Sequence, residues 1–368
     1  MAFIQGIRPP MKTDREQALY PRVAIVLVNW NNWQDCVQCI DSLLGMDHVN
    51  FHIFVVDNDS QDGSVEKIHS WCASPEPTPG IKSIVGVVRW TDFSRSAPIP
   101  CRIVEFGTPS PVVDQGCLIS LIRSGGNLGF AGGCNVGIRT AGVSDFSFFW
   151  FLNTDTVVDQ HCLRHLVERA RSSASIGMVG STVLYYDQPT VLQAQAGARM
   201  NDQTGESRHI GEGRLLVEAQ ANAGEVEKQL AYIFGASMLV SSDLIKRVGL
   251  MREDYFLYYE EMDWAMRSRA QFRLGYAPGS LVYHKAGNSS SKNMPLFTAN
   301  FFYRNRIRFL SRFFPQHLNA AKRQFLLIML KSVAKGRWAE ARLIASILCR
   351  VDTIARDAID HQPAVVLP

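Results

Sequence analysis

With 368 residues, 46% of them apolar, and a formal charge of +4, the chain suits a soluble globular protein: one large α/β domain with an appendage, or two domains. No apolar run approaches the roughly 18 residues that a bilayer-spanning helix needs. Arg8, Pro9, Pro10 and Lys12 stand where a secretory signal carries its apolar core, so residues 1–21 read as a flexible arm on a cytosolic protein. The eight cysteines are scattered, without the paired spacing of a zinc site or a dense disulfide scaffold.

Val23 to Val28 is a continuous apolar run and predicts a buried first strand. The polar Asn31-Asn32 pair then opens a helix over Trp33 to Leu44. Its apolar stripe of Val37, Ile40, Leu43 and Leu44 takes in Cys36 and Cys39, a C-x-x-C read as helix packing because the reactive version needs an exposed helix N-terminus. Phe51 to Val56 is the second strand, and Asp57-Asn58-Asp59-Ser60-Gln61-Asp62-Gly63-Ser64 separates it from another helix. Strand, helix, strand with right-handed crossovers predicts a parallel sheet covered by helices on both faces. Seven prolines then break the rhythm, marking residues 72–118 as an insertion with one or two short strands such as Ile84 to Val88. A loop of that length is either a functional lid or a disordered piece.

Gly125 to Gly137 is rich in glycine and leads into a short helix; its backbone suits either close approach to a ligand or a tight structural turn. It is no Walker loop, and it lacks the position after the first strand that a dinucleotide site requires. Phe148 to Leu152 is a buried strand that stops at Asn153-Thr154-Asp155. Open α/β sheets bind ligands beyond the carboxyl ends of their strands. Asn153 and Asp155 bear the oxygens a hard cation prefers, and they equally suit a plain turn into the next helix. There follow a helix from His161 to Ser172, a strand from Ile176 to Leu184, and a mobile hairpin or loop region from Asp187 to Glu227. A strand from Tyr232 to Val240 and a helix capped by Asp243 come next. Tyr255 to Trp264 leads into a further helix, and Gly275 to His284 is the last strand.

Several of these segments carry motifs in a familiar order. Val28-Asn29-Trp30-Asn31 ends the first strand, Asp57-Asn58-Asp59-Ser60-x-Asp62-Gly63 the second, and Asn127-Leu128-Gly129-Phe130-Ala131-Gly132-Gly133-x-Asn135-x-Gly137 follows. Asn153-Thr154-Asp155 then precedes Phe256-Leu257-Tyr258-Tyr259-Glu260-Glu261-Met262-Asp263. Residues 22–290 thereby resemble glycosyltransferase family 2, and in particular its rhamnosyltransferase-like branch. The resemblance implies a GT-A fold: a Rossmann-like α/β domain over 22–290 with a mostly parallel central sheet and helices on both faces. Residues 291–368 form a basic amphipathic helical C-terminal extension.

The resemblance also implies roles. Val28, Trp30, Asn31, Asp57, Asn58, Asn127, Gly129, Phe130, Asn135, Asn153 and Thr154 are expected at the nucleotide sugar, with Trp30 stacking on the base and Asp57 accepting a base N–H. Asp155 and His284 are expected to hold a divalent Mg2+ or Mn2+ that neutralises the leaving diphosphate. The acceptor base falls by position on Glu261, where the family carries Asp; the cluster of Glu260, Glu261 and Asp263 leaves Asp263 as the alternative. These roles describe an inverting, metal-dependent hexosyltransferase for cell-surface polysaccharide, moving a sugar such as rhamnose from a dTDP donor to a saccharide or lipid-linked acceptor. A silent nucleotide- or saccharide-binding homologue is one alternative reading, and a sugar nucleotidyltransferase another.

Residues 304–350 hold 11 Lys or Arg against Glu340 alone, which calls for an anionic partner. The aromatic and arginine residues from Phe301 to Phe314 fit either an anionic membrane surface or a helix packed on the catalytic domain with a solvated basic face. No nucleic-acid recognition module accompanies the charge, so nucleic acid is not expected. Peripheral attachment to the inner face of the membrane through residues 301–350 is the favoured reading.

Overall fold

The computed structural model describes residues 20–74, 97–108, 116–219, 223–285 and 295–360. The first half runs β1 (Val23–Asn29), α1 (Trp33–Leu44), β2 (Phe51–Asp57), α2 (Ser64–Ala73), β3 (Cys101–Glu105), β4 (Ile119–Arg123), α3 (Gly129–Ala141), β5 (Phe148–Asn153), β6 (Thr156–Val158) and α4 (Cys162–Arg171). Next come β7 (Ile176–Tyr185), β8 (Gln188–Gln195), β9 (Gly197–Met200), β10 (Ser207–His209), α5 (Ala223–Glu227), β11 (Tyr232–Ile233), β12 (Ser237–Ser241), α6 (Ser242–Val248), α7 (Glu260–Ser268) and β13 (Arg273–His284). The helices α8 (Leu296–Phe313), α9 (Leu318–Ala334), α10 (Trp338–Cys349) and α11 (Val351–Asp360) complete the described chain.

Ten strands form one sheet in the order β3-β4-β2-β1-β5-β12-β7-β13-β6, with β8 paired to β7. The block from β3 to β5 is parallel throughout, β12 runs antiparallel between β5 and β7, and β13 is again parallel to β7. The apolar runs produce this layering because successive strand residues point to opposite faces. Val26, Phe54, Phe149 and Phe151 pack with Val136 of α3 and Trp264 of α7 on one face. Ile25, Ile53, Trp150 and Leu152 pack with Ile40 of α1, Ile68 of α2 and Leu163 of α4 on the other.

Several expectations change. The Ile84 to Val88 strand and most of the N-terminal arm lie outside the described residues. Within 72–118, Cys101–Glu105 is an edge strand of the main sheet, and the neighbouring β4 went unread. Its apolar run is broken by Ser120, fully buried where His52 Nε2 and the Ser120 hydroxyl meet at 3.0 Å. Of the hairpin or loop expected from Asp187 to Glu227, the hairpin is present and more ordered than expected: β8 pairs antiparallel with β7, β10 with β9, α5 follows, and β9 lies between β10 and β11 in a small three-stranded sheet. Tyr232 to Val240 is two strands broken at Phe234-Gly235-Ala236. The α6 cap is Ser241, whose hydroxyl accepts the Leu244 N–H at 3.2 Å, rather than Asp243. Cys36 and Cys39 are fully buried, and burial pushes the Cys39 thiol up to about 12, as packing requires.

The C-terminal helices bring the largest change. Asn305 and Arg306 of α8 are buried, Arg306 to 1% exposure. Arg306 approaches Glu206 at 3.5 Å and lies over the Phe325 ring, while Arg308 and Arg312 pair with Asp254. These three arginines tie the tail to the α/β layers and are not offered to a membrane. Among the described residues no helix is long and apolar enough to cross one.

Candidate active site

The chain leaves β1 for β2 on one side and returns to β5 on the other, so a crevice opens beyond the carboxyl ends of these three strands. The register sets Asn29 beside Asp57 and Val28 beside Asn153 on its rim.

At the nucleotide end Trp30 is 56% exposed, a large aromatic face left open at the mouth. Asn31 adopts φ +52° and ties two loops: its N–H donates to Ser60 Oγ at 2.8 Å and its Oδ1 accepts the Gln61 N–H at 2.7 Å. Asp57 is only 6% exposed; Oδ1 accepts from Asn29 Nδ2 at 3.0 Å and Oδ2 from the Ser60 N–H at 3.0 Å. Each oxygen keeps a second lone pair for a ligand donor. Asn58 Nδ2 donates to the Gly129 carbonyl at 2.8 Å, whereas its buried Oδ1 has no hydrogen-bond partner.

The glycine-rich segment differs from a ligand-embracing loop. Helix α3 begins at Gly129, so Gly132, Gly133 and Gly137 are helical. A Cβ on Gly133 would stand 2.7 Å from a Val28 methyl, and one on Gly137 2.5 Å from a Val26 methyl. Here glycine permits close helix-to-strand packing. Asn127 Oδ1 accepts the Gly129 N–H at 3.1 Å, and the Phe130 N–H donates to the Phe256 carbonyl at 2.8 Å. Asn135 is fully buried: its Nδ2 donates to the Met251 carbonyl and to Glu253 Oε1, both at 2.9 Å, and its Oδ1 accepts the Met251 N–H at 3.2 Å. Val28, Gly129, Phe130 and Asn135 therefore brace the wall of the crevice, and Asn135 is turned away from it into a buried bridge.

At the cation end, Asp155 Oδ1 lies 3.2 Å from His284 Nε2, and Asn153 Nδ2 lies 3.4 Å from the same nitrogen. Thr154 beside them is buried. His284 Nδ1 is 2.8 Å from Gln193 Oε1, an acceptor, so Nδ1–H donates there and Nε2 faces the Asp155 carboxylate. Burial pushes the Asp155 carboxyl up, but the His284 hydrogen bond and charge, the Asp155 backbone N–H and Lys285 outweigh it and hold the group below its ordinary value. Among the described residues no cluster of three or more His, Cys, Asp or Glu side chains is arranged for a metal. Asp155 and His284 supply two donors, which fits a cation whose other positions are filled by phosphate oxygens and water.

At the third end stand the carboxylates of α7. Asp263 is fully buried, with Arg267 Nε at 2.6 Å from Oδ1, the Tyr255 hydroxyl donating to Oδ2 at 3.0 Å and Arg312 at 3.6 Å. It is a structural counter-ion, spent on these partners. Glu260 is 2% exposed with Oε2 unpartnered, and burial followed by the charge of Glu261 raises its carboxyl well above the ordinary range. Glu261 is partly exposed; burial pushes it up to about 7, opposed by hydrogen bonds from its own backbone N–H and that of Gly235.

Three residues preceding or opening α7 occupy left-handed backbone without being glycine: Phe256, Tyr258 and Tyr259, at φ +65°, +67° and +77°. Such backbone is costly and persists only when its surroundings hold it. Asn305 of α8 holds it, Nδ2 reaching the carbonyls of Tyr255 at 2.7 Å, Leu257 at 2.8 Å and Tyr258 at 3.1 Å.

Sequence reasoning missed four contributors: Gln193, which orients His284; Phe234, whose ring lies 5.8 Å from His284; Gly235, beside Glu261; and Asn305. Only Gly235 carried a signal, since an isolated glycine in a strand pattern marks a bulge or a close backbone approach.

The α/β sheet opens a switch-point crevice with an exposed aromatic at one end and a carboxyl raised by burial at the other. The sequence model "Glycosyl transferase family 2" matches residues 24–90 and 110–231, half of the chain. The protein belongs to that family, and its sheet is the GT-A fold. It is 24% identical over 183 residues to the low-salt glycan biosynthesis hexosyltransferase Agl10 of Haloferax volcanii, covering 49% of this chain and 56% of that protein. It thus spans little more than half the length of that relative. Among solved structures, the mannosyltransferase PcManGT of Pyrobaculum calidifontis, in complex with GDP-Man and Mn2+, aligns at 14% identity and TM-score 0.47, over 95% of this chain and 77% of that one. S. aureus TarS 1–349 in complex with UDP aligns at 13% identity and TM-score 0.45, over 94% of this chain and 93% of that one.

Proposed function

We propose that the protein transfers a glycosyl group from a nucleoside diphosphate sugar to a hydroxyl of a saccharide or lipid-linked saccharide, with inversion at the anomeric carbon. The observation that carries this reading is Glu261, a carboxyl raised to about 7 on the crevice side of α7 and backed by the same Phe234-Gly235-Ala236 turn that touches His284 and Asn153. A general base works best with a pKa near the operating pH. Glu261 accepts the proton of the acceptor hydroxyl as that oxygen bonds the anomeric carbon, while the bond from that carbon to the phosphate oxygen breaks and the diphosphate departs. Burial, then the charge of Glu261, holds the Glu260 carboxyl well above the ordinary range, so Glu261 is the readier of the two to ionise.

Trp30 offers its face to the nucleobase, and the free lone pairs of Asp57 accept from the base edge. Asp155 and His284 would hold a divalent Mg2+ or Mn2+ against the diphosphate, with Gln193 fixing the His284 tautomer. When bound, that ion supplies positive charge where the leaving group becomes more anionic. The motifs of the rhamnosyltransferase-like branch favour dTDP-rhamnose as donor and cell-surface polysaccharide as product.

The test is release of nucleoside diphosphate from a panel of nucleotide sugars with Mg2+ or Mn2+ and saccharide acceptors. Glu261→Gln is expected to bind donor with turnover reduced at least about a hundredfold, the lower range for loss of general-base help. Turnover unchanged in both Glu261→Gln and Asp155→Ala would overturn the assignment.

A further inference from the structure

The basic tail is not uniform. Arginines of α8 are spent inside the fold, whereas the outward face of α9 and the turn into α10 carry a different surface. Leu326, Leu327 and Leu330 are 45%, 56% and 53% exposed, and Trp338, just past the α9 end, is 58% exposed. On the inward face Ala321, Phe325 and Ser332 are buried, so the outward leucines contribute nothing to the local core. Their spacing sets them on one side of the helix across successive turns.

The rim of this patch is cationic. Arg323, Lys331, Lys335 and Arg337 are all exposed around it. Glu340 is drawn inward by the Ser332 hydroxyl at 2.8 Å and Arg337 at 3.2 Å, and the exposed Asp352 is paired with Lys322 of α9 at 3.0 Å, so the cations Arg323, Lys331 and Lys335 outnumber the acids at this rim. Contiguous exposed apolar surface of this kind marks an interaction site. Leucines need an apolar environment and the surrounding cations need anions, and a bilayer interface satisfies both at once, acyl chains below and phosphate headgroups at the rim. An amphipathic ring such as Trp338 favours the same boundary. A nucleic acid would satisfy the cations and leave the leucines in water.

We propose that the exposed face of α9 with the α9-to-α10 turn docks on an anionic phospholipid bilayer. The inference stands on this surface alone and is independent of the assigned chemistry. It narrows the membrane contact expected from sequence through residues 301–350 to α9 and the turn into α10, and leaves out the arginines of α8. Because α8 packs between this hairpin and the loop before Glu261, a membrane-held hairpin keeps the base-bearing loop near lipid-linked acceptors.

The full chain is to be sedimented with vesicles of pure phosphatidylcholine and with vesicles containing phosphatidylglycerol. Binding is expected on the anionic vesicles and is expected to fall as salt rises, since the rim charges are exposed. The double substitution Leu327→Glu and Leu330→Glu is expected to cut binding about tenfold or more with an unchanged thermal midpoint, because both side chains already face outward. Lys331→Glu with Lys335→Glu is expected to remove the anionic preference. Equal vesicle binding by the leucine variant overturns the proposal. So does absence of vesicle binding together with a dimer, seen by light scattering, that the leucine variant abolishes, or with binding to a single-stranded oligonucleotide.

Discussion

Replacing Glu261 by Gln is expected to make the protein more stable in alkali while removing its turnover. The Glu261 carboxyl rises from an ordinary 4.5 to about 7 in the folded chain, so between those pH values the folded state binds more protons than the unfolded state. Stability is therefore fullest below pH 4.5 and is lost as pH climbs toward 7. At 1.36 kcal/mol per unit the loss approaches about 3 kcal/mol. Glutamine is neutral at every pH and keeps an oxygen for the Gly235 N–H. It also relieves Glu260 of a neighbouring charge, which acts in the same direction. Urea unfolding of both proteins by tryptophan fluorescence at several pH values between 4 and 8.5 measures this. The curves should coincide near pH 4 and separate, with the variant above, by pH 8. A difference that does not change with pH, or wild type gaining on the variant as pH rises, would refute the reasoning. In the wild type, kcat should climb through about pH 7 as the base ionises.

Asp263→Asn removes the charge that Arg267 and Arg312 face in the interior and should cost about 3–5 kcal/mol, read as a fall in thermal midpoint; turnover per folded molecule should survive far better than in Glu261→Gln. Gly133→Ala forces a methyl to 2.7 Å from Val28 and should destabilise by about 1–3 kcal/mol through overpacking, measured by denaturant midpoint. Asn305→Ala removes two amide hydrogens shared among three carbonyls and should cost about 2 kcal/mol, at about 1 kcal/mol for each hydrogen bond, with kcat falling more than KM changes. Asn305→Asp, which has no donor when ionised, should not restore it.

What could be read from the sequence follows the range over which each residue's partner lies. The strands β1, β2 and β5 announce themselves because burial on both faces needs an unbroken apolar run, and Asn29, Asp57 and Asn153 come to one rim because parallel pairing aligns those runs. Strand β4 hides because its Ser120 is satisfied by His52, sixty-eight residues earlier in the chain. Glycines 133 and 137 advertise backbone freedom, yet their use is the absence of a Cβ against Val28 and Val26, a contact that local pattern does not encode. Choosing between Glu261 and Asp263 was equally beyond spacing. Both follow the same tyrosines, and only the three-dimensional approach of Arg267, Arg312 and the Tyr255 hydroxyl commits Asp263 to the fold.

The same long-range logic explains how two distant motifs act as one site. The run from Tyr232 to Val240 has the composition of a single strand, but it breaks so that Ile233 ends in the small sheet and Ser237 begins in the large one. In the break, the Ala236 carbonyl accepts the Asn153 N–H at 3.1 Å, Phe234 lies beside His284, and the missing Cβ of Gly235 leaves room for Glu261, whose Oε1 would otherwise stand 2.5 Å away. This one turn therefore touches both Asn153 and His284 on one side and Glu261 on the other. With Asn305 fixing the other flank of Glu261 through three carbonyls, the carboxyl is held from two sides by groups outside its own motif. The Glu261 carboxyl reaches over the space that Gly235 leaves open, and the backbone before it is pinned by the tail, the arrangement that the proposed base role asks of a side chain this long.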